Sequence, residues 1–302
     1  MVIKTNNTFQ KIILAVDGSE HSLAATNLLN NLPLASDCSV CVISVLDTPH
    51  TPRRQLLLAA LEQASNILKE KGRKVEYGLL HGHPAYSLIE FADHYEPNLI
   101  VLGAKGLRAT LGILLGGVAQ QVIEHAHWPV LIVRPDPILL HQILIAVDGS
   151  EYSQSALEYL ANFLSIPDVS YHLVHVVSPI PAYDPGNIPR TWQIGTDIFQ
   201  TSSIFYTNNL DELRKKDEAK GISILDQASL FLEQSAILAK PDLLHGDAAT
   251  EILEYSKNNM IDIIVAGSRG LSEVSGWLLG SVSRKLVHYA PCSVLIVKQR
   301  LE

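Results

Sequence analysis

The sequence is short of cysteine, of long apolar runs and of basic charge, and each shortage removes a class of function. Three cysteines in 302 residues are too few and too oddly numbered for a disulfide framework, and they fit a reducing compartment. Cys38 and Cys41 form a C-x-x-C. They flank the start of an expected strand instead of opening a helix, so core and turn thiols are expected over a redox or metal pair. Apolar runs such as LIVLGA and VLIV fall far short of the ~20 residues that a membrane span requires. The opening residues MVIKTNNTFQ contain no apolar h-region, so a soluble cytoplasmic protein is expected. Lysine and arginine number 23 against 31 acidic residues, a net charge of -8, which lacks the basic face of a nucleic-acid binder. Neither nucleic acid nor membrane is therefore an expected partner. Three motifs are missing as well. There is no G-x-x-x-x-G-K-[ST] phosphate loop, no G-x-G-x-x-G after the first strand, and no G-x-S-x-G nucleophile elbow.

What is present is one domain written twice. KIILAVDGSEHS at 11–22 returns as QILIAVDGSEYS at 142–153, which brings Asp17 onto Asp148 at an offset of 131. LLHGHPA with His81 returns as LLHGDAA with His245, at an offset of 164. IVLGAKG, ending at Gly106, returns at that offset as IVAGSRG, ending at Gly270, and VLIV at 130–133 returns at 294–297. Two domains are expected, over 1–138 and 139–302. The second offset exceeds the first by 33 residues, so copy two carries an insert at about 180–212. Proline, glycine and aromatics crowd it, which suits a lid or binding loop or equally a surface excursion packed down by Trp192, Phe199 and Tyr206. The run DELRKKDEAK that follows reads as a solvated helix face.

Each copy alternates short apolar strands with helices. Strand one spans 12–16 and 143–147, bounded by D-G-S, and Ser19 or Ser150 stands where it can cap the helix that follows. Strand two spans 40–46 and 171–177. In copy one a helix over 55–71, strand three at 75–80, a short helix from Pro84 and strand four at 99–102 follow, then a helix over 119–127 and strand five from 130. Apolar strands without polar alternation, separated by helices, predict an α/β fold. The expectation is two tandem doubly wound domains, each with a five-stranded parallel sheet in the order 3-2-1-4-5.

In such a sheet the ligand crevice lies beyond the carboxyl ends of the strands, where the strand order reverses. Asp17 and Gly103 end the two strands flanking that point in copy one, as Asp148 and Gly267 do in copy two. A glycine loop leaving strand four offers backbone N–H groups with no Cβ in the way, and the helix starting near Gly280 aims its positive end into the same space. That combination is an anion site, to which Ser281 adds a hydroxyl. The histidine pairs His81/His83 and His125/His127 come without a Cys or Glu cluster at ligand spacing, so no side-chain metal site is expected. A cation at a helix C-terminus accounts for His125 or His127. A magnesium ion would arrive instead with a triphosphate, whose oxygens it prefers.

The pattern G-x-x-G, nine residues, G-[ST] after strand four, with D-G-S after strand one, resembles that of the universal stress protein family. Gly267, Gly270, Gly280 and Ser281 fit it, and the resemblance spans the whole chain apart from the insert. It implies ATP or another adenine nucleotide as ligand. Ala146, Asp148, Val176, Ala266 and Gly267 would hold adenine and ribose, and Gly270, Gly280, Ser281 and Val282 the phosphates. Arg269 would add charge to a phosphate oxygen or stand as an exposed loop arginine. The matching positions in copy one are Ala15, Asp17, Val45, Gly103, Gly106, Gly116, Gly117 and Val118. Copy one departs from the pattern at Gly117, where the hydroxyl should be, and has His83 in the place of Asp247. Losing a hydroxyl donor costs about 0.5–1.5 kcal/mol, about tenfold in affinity, so tighter binding is expected in copy two. With no base, nucleophile and orienter grouped together, the implied role is regulatory nucleotide binding in a stress response. A slow ATPase and a nucleotide-free scaffold are the alternatives. Family members commonly pair through the last strand, which implies an internal pairing of 130–133 with 294–297 and leaves a homodimer of whole chains open.

Overall fold

The computed structural model describes residues 11–35, 37–47, 51–107, 114–135, 139–163, 166–178, 197–271 and 279–299, with the backbone alone at 51 and 197–211. Copy one runs β1 (Lys11–Ala15), α1 (Glu20–Asn31), β2 (Ser39–Leu46), α2 (Thr51–Glu70), β3 (Lys74–His81), α3 (Pro84–Tyr95), β4 (Leu99–Gly103), α4 (Gly117–His125) and β5 (Val130–Val133). Copy two runs β6 (Gln142–Ala146), α5 (Glu151–Phe163), β7 (Ser170–Val177), α6 (Asp197–Gln234), β8 (Ala239–His245), α7 (Ala248–Asn258), β9 (Ile263–Gly267), α8 (Ser281–Tyr289) and β10 (Ser293–Val297).

The ten strands form one sheet in the order β3-β2-β1-β4-β5-β10-β9-β6-β7-β8. Each half is parallel and has the expected 3-2-1-4-5 order. The halves meet where β5 and β10 pair antiparallel, with Leu295 opposite Leu131 and Val294 opposite Ile132. Both strands are buried along their whole length, so each apolar edge is covered by the other. The outer edges are β3 and β8, and an edge is where Pro241 can stand without removing a ladder hydrogen bond.

Side chains alternate across the sheet, and both faces are covered. Ile12 and Leu14 pack on one face with α1, α2, α5 and α6, in a cluster that continues through Ile143 and Ile145 into copy two. Ile13 packs on the other face with α3, α4, α7 and α8. Burial on both faces is why the strands read as unbroken apolar runs. Cys38 belongs to the first cluster and Cys41 to the second. The two thiols of the C-x-x-C therefore lie on opposite faces of the sheet, both unoxidised, and burial pushes each up to about 11.

Further bonds join the copies. The Tyr159 hydroxyl donates to the Asn98 carbonyl at 2.9 Å. Lys298, just past β10, donates to the Ile123 carbonyl near the end of α4 at 2.7 Å. Arg134, just past β5, donates to Val287 and His288 at the end of α8, at 3.0 and 3.2 Å, and to Leu114 at 3.0 Å. Positions 134 and 298 are related by the 164-residue repeat, as are 123 and 287. The two bonds thus form a reciprocal clasp, each a cation on the C-terminal carbonyls of a helix from the other copy.

From 197 onward the insert is helical instead of the expected loop. Helix α6 has 38 residues against 20 in α2, and its chain is helical from Asp197 onward, because the prolines and glycines of the insert lie before that residue. Trp192 lies outside the described residues, and Phe199 and Tyr206 are described by backbone alone. The stretch from Glu212 to Lys220 is exposed along its length, as the charge run predicts.

Candidate functional site

Each copy builds the same frame from the D-G-S turn. In copy one Asp17 accepts the Ser19 amide on Oδ1 at 3.0 Å and the Leu107 amide on Oδ2 at 2.8 Å. One carboxylate thereby ties the turn after β1 to the loop after β4. Ser19 caps α1 through the Ser22 amide and also donates to the Lys105 carbonyl at 3.2 Å. Asp148 accepts the Ser150 amide at 3.0 Å, and Ser150 caps the Ser153 amide at 3.2 Å. The carbonyl just before each aspartate is held from strand two, by Ser44 on Val16 at 2.6 Å and by His175 on Val147 at 2.8 Å.

The loop after strand four closes on itself. Gly116 donates to the Ala104 carbonyl and Gly280 to that of Ser268, both at 2.7 Å. A Cβ on Gly106 would stand 2.6 Å from Asp17 Oδ2, and one on Gly270 2.5 Å from Asp148 Oδ2. These two glycines let the loop reach the carboxylate. Gly103 and Gly267 make a second close approach, to the backbone of His21 and Tyr152, where a Cβ would come within 2.6 Å. Ser283 adds a bond from α8 to the Gly267 carbonyl at 2.7 Å.

The helices that leave these loops differ from α1 and α7 at the N-terminus. Ser19 caps α1 and Asp247 caps α7 with side-chain oxygens, and α3 opens on Pro84, which has no N–H to satisfy. Helices α4 and α8 start after Gly116 and Gly280 with no side-chain cap. Their first-turn N–H groups, beside the closed loop, are the natural partners of an anion. The start of α4 lies at Gly117, two residues before the expected 119, because the loop-closing bond of Gly116 sets the N-cap. Gly117 and Ser281 are thus the first residues of α4 and α8, both exposed.

In copy one the structure brings all eight predicted residues, Ala15, Asp17, Val45, Gly103, Gly106, Gly116, Gly117 and Val118, onto the wall of one cavity of about 250 Å³. Asp47, Arg53 and Lys105 share that wall and escaped the sequence reading. Arg53 pairs with Asp47 at 3.1 Å. Lys105 was legible as the counterpart of Arg269, but Arg53 enters from the first turn of α2 with no motif to mark it. In copy two Ala146 and Ala266 are neighbours on paired strands. Ala146, Val176 and Val282 pack against one core cluster, and Gly280 lies against Arg269 and Gly270. Arg269 has the Tyr152 hydroxyl 3.3 Å away and its guanidinium over the Tyr152 ring. The Asp247 that replaces His83 accepts from the Thr250 hydroxyl and amide and pairs with Lys285 of α8 at 3.3 Å. Those bonds, that of the Thr250 hydroxyl first, hold its carboxyl below the usual range. His83 caps α3 with no side-chain bond, and its ring lies 5.1 Å from that of Tyr86. His125 ends α4, and His127 stands 3.6 Å from Asp93.

Comparison with known proteins shows the family. A sequence profile of the universal stress protein family matches residues 8–134 and again 140–298. A universal stress protein of Methanocaldococcus jannaschii is 34% identical over 142 residues, covering 42% of this chain and 84% of its own. One from Mycobacterium bovis is 23% identical over 312 residues, 95% of this chain and 97% of its own. The crystal structure of a universal stress protein from Archaeoglobus fulgidus has the same fold, with a TM-score of 0.64 at 22% identity over 97% of this chain and 98% of that one. The chain belongs to the universal stress protein family, as a tandem of two family domains.

Proposed function

We propose that the chain is a regulatory adenine-nucleotide binder with two unequal sites, the tighter in copy two. The observation that carries this reading is the pair of helix N-termini left uncapped beside a closed glycine loop. Uncapped first-turn amides attract phosphate by hydrogen bonding and by the helix dipole together. In copy two Gly270, Gly280 and Val282 would face the phosphates with the Ser281 hydroxyl as an added donor, and Ala146, Asp148, Val176, Ala266 and Gly267 would take adenine and ribose. The same roles in copy one fall to Gly106, Gly116, Gly117 and Val118, and to Ala15, Asp17, Val45 and Gly103. A magnesium ion bound with the triphosphate would neutralise part of its charge. The carboxylate of Asp17 is occupied by two backbone amides, which suits a positioning group better than a general base, so binding is favoured over turnover.

A second reading, with copy one the tighter site, draws support from the cavity there and from Arg53 and Lys105 on its wall. Lys105 is matched by Arg269 in copy two, so the added cation is Arg53, which a phosphate would share with Asp47; it can offset the missing hydroxyl because charge-assisted bonds to phosphate exceed neutral ones about twofold. Mass spectrometry of small molecules released from freshly purified protein tests both readings against a scaffold role. An adenine nucleotide is the expected product. Its absence, together with no heat on titration with ATP, would remove both readings.

A further inference from the structure

Between the two copies lies a second cavity, of about 510 Å³, within the usual size range of small-molecule sites. It shares no lining residue with the cavity of copy one, and among the described residues of the copy-two loop Ser268 and Arg269 line it. Copy one contributes Asp93, Glu96 and Trp128 to its wall, and copy two contributes Tyr152, Arg269 and Lys298. The carboxylates come from one copy and the lysine and arginine from the other, with His127 of copy one on the acidic wall 3.6 Å from Asp93.

Lys298 is only 8% exposed. Burial, and then the neighbouring Arg269, pull its ammonium down to about 8 against an opposing pull from Glu124, and with its Nζ also donating to the Ile123 carbonyl, Lys298 and Arg269 disfavour each other's charge on the wall they share. An anionic group between them would relieve that repulsion. Across the repeat Asp93 becomes Lys257, Glu96 becomes Met260 and Trp128 becomes Cys292. Arg134, the counterpart of Lys298, engages three carbonyls. The acids and the indole are therefore particular to this side of the molecule and not a by-product of the duplication. The indole is fixed by its Nε1, which donates to Asp93 at 3.3 Å.

A simple anion would suit Arg269 and Lys298 but bring like charge to Asp93 and Glu96, and a simple cation would do the reverse. A molecule carrying both charges satisfies both walls. We propose that this cavity binds a small zwitterion of amino-acid or dipeptide size. Its carboxylate lies between Arg269 and Lys298, its ammonium faces Asp93 and Glu96, and its apolar part lies along Trp128.

The test is a calorimetric titration of the full chain, without nucleotide, using L-alanine, L-phenylalanine and alanyl-alanine beside their N-acetyl and C-terminal amide derivatives. The free zwitterions are expected to bind, and masking either end is expected to weaken binding about tenfold or more. Glu96→Gln, at an exposed position, is expected to weaken the free zwitterion about tenfold while leaving the N-acetyl derivative unchanged. No heat from any zwitterion at millimolar concentration, N-acetyl derivatives binding as tightly as their parents, or Glu96→Gln leaving the zwitterions unaffected would each overturn the proposal. Because nucleotide is absent, failure here leaves the nucleotide reading standing, and failure of that reading leaves this one.

Discussion

At Gly267 the space that a side chain would need is taken by the backbone of Tyr152, and at Gly270 by the carboxylate of Asp148. Replacing Gly267 with alanine is expected to cost about 1–3 kcal/mol, as overpacking does when the obstacle is backbone, read as a lower midpoint in urea. An unchanged midpoint would mean that α5 does not press on β9. The spacing of these glycines is legible in the sequence, and so is their place after strand four. What they make way for is not, because Tyr152 lies 115 positions from Gly267 and no local pattern announces a tertiary neighbour. Arg53 was hidden for the same reason. Asp17 and Asp148 were legible as residues at the crevice, but their bonds to the turn amides emerge only from the folded geometry. Gly117 carries the opposite lesson: an added Cβ there meets nothing within 4 Å, so the position can accept the serine found in copy two.

Strands and most helices fall within a few residues of their expected bounds, because apolar runs between D-G-S turns and amphipathic segments carry the information locally. Two elements were harder to place. The start of α4 depends on a loop-closing hydrogen bond, and the extension of α6 reads as helix only where proline and glycine stop. The clasp between copies is likewise invisible without the pairing of β5 with β10, although that pairing was implied by the family resemblance. Arg134 serves three carbonyls, two at the end of α8 and one in the loop before α4, and is half-buried. Arg134→Met is expected to lower stability by about 1.5–3 kcal/mol, the range for hydrogen bonds to charged groups, measured by urea denaturation of the full chain. A loss below about 0.5 kcal/mol, the level of ordinary surface substitutions, would mean that the clasp contributes nothing to holding the copies together.

For the whole molecule, burial sets an alkaline limit on stability. Burial holds the Cys38 and Cys41 thiols near 11 and that of Cys292 near 12, against an ordinary value of 9.0. Below pH 9 both states keep these protons. Above it the unfolded chain releases protons that the folded chain retains, so stability falls as pH rises toward 11. Lys298 acts in the opposite sense, held near 8 against 10.5, while Tyr159 and Tyr255, pushed above the ordinary tyrosine value chiefly by burial, add to the fall above pH 10. The melting temperature is expected to fall between pH 9 and 11, and to fall less when all three cysteines are replaced by alanine. A flat profile across that range in the unmodified protein would contradict this. The continuous sheet also brings two related glycine cradles into one molecule, and at the first residue of the helix leaving each they differ as Ser281 against Gly117. Calorimetric titration with ATP of the unmodified chain, Ser281→Gly and Gly117→Ser measures the consequence directly. Two sites about tenfold apart are predicted, with Ser281→Gly weakening the tighter and Gly117→Ser strengthening the weaker. Two equivalent sites, or affinities that neither exchange moves, would contradict it.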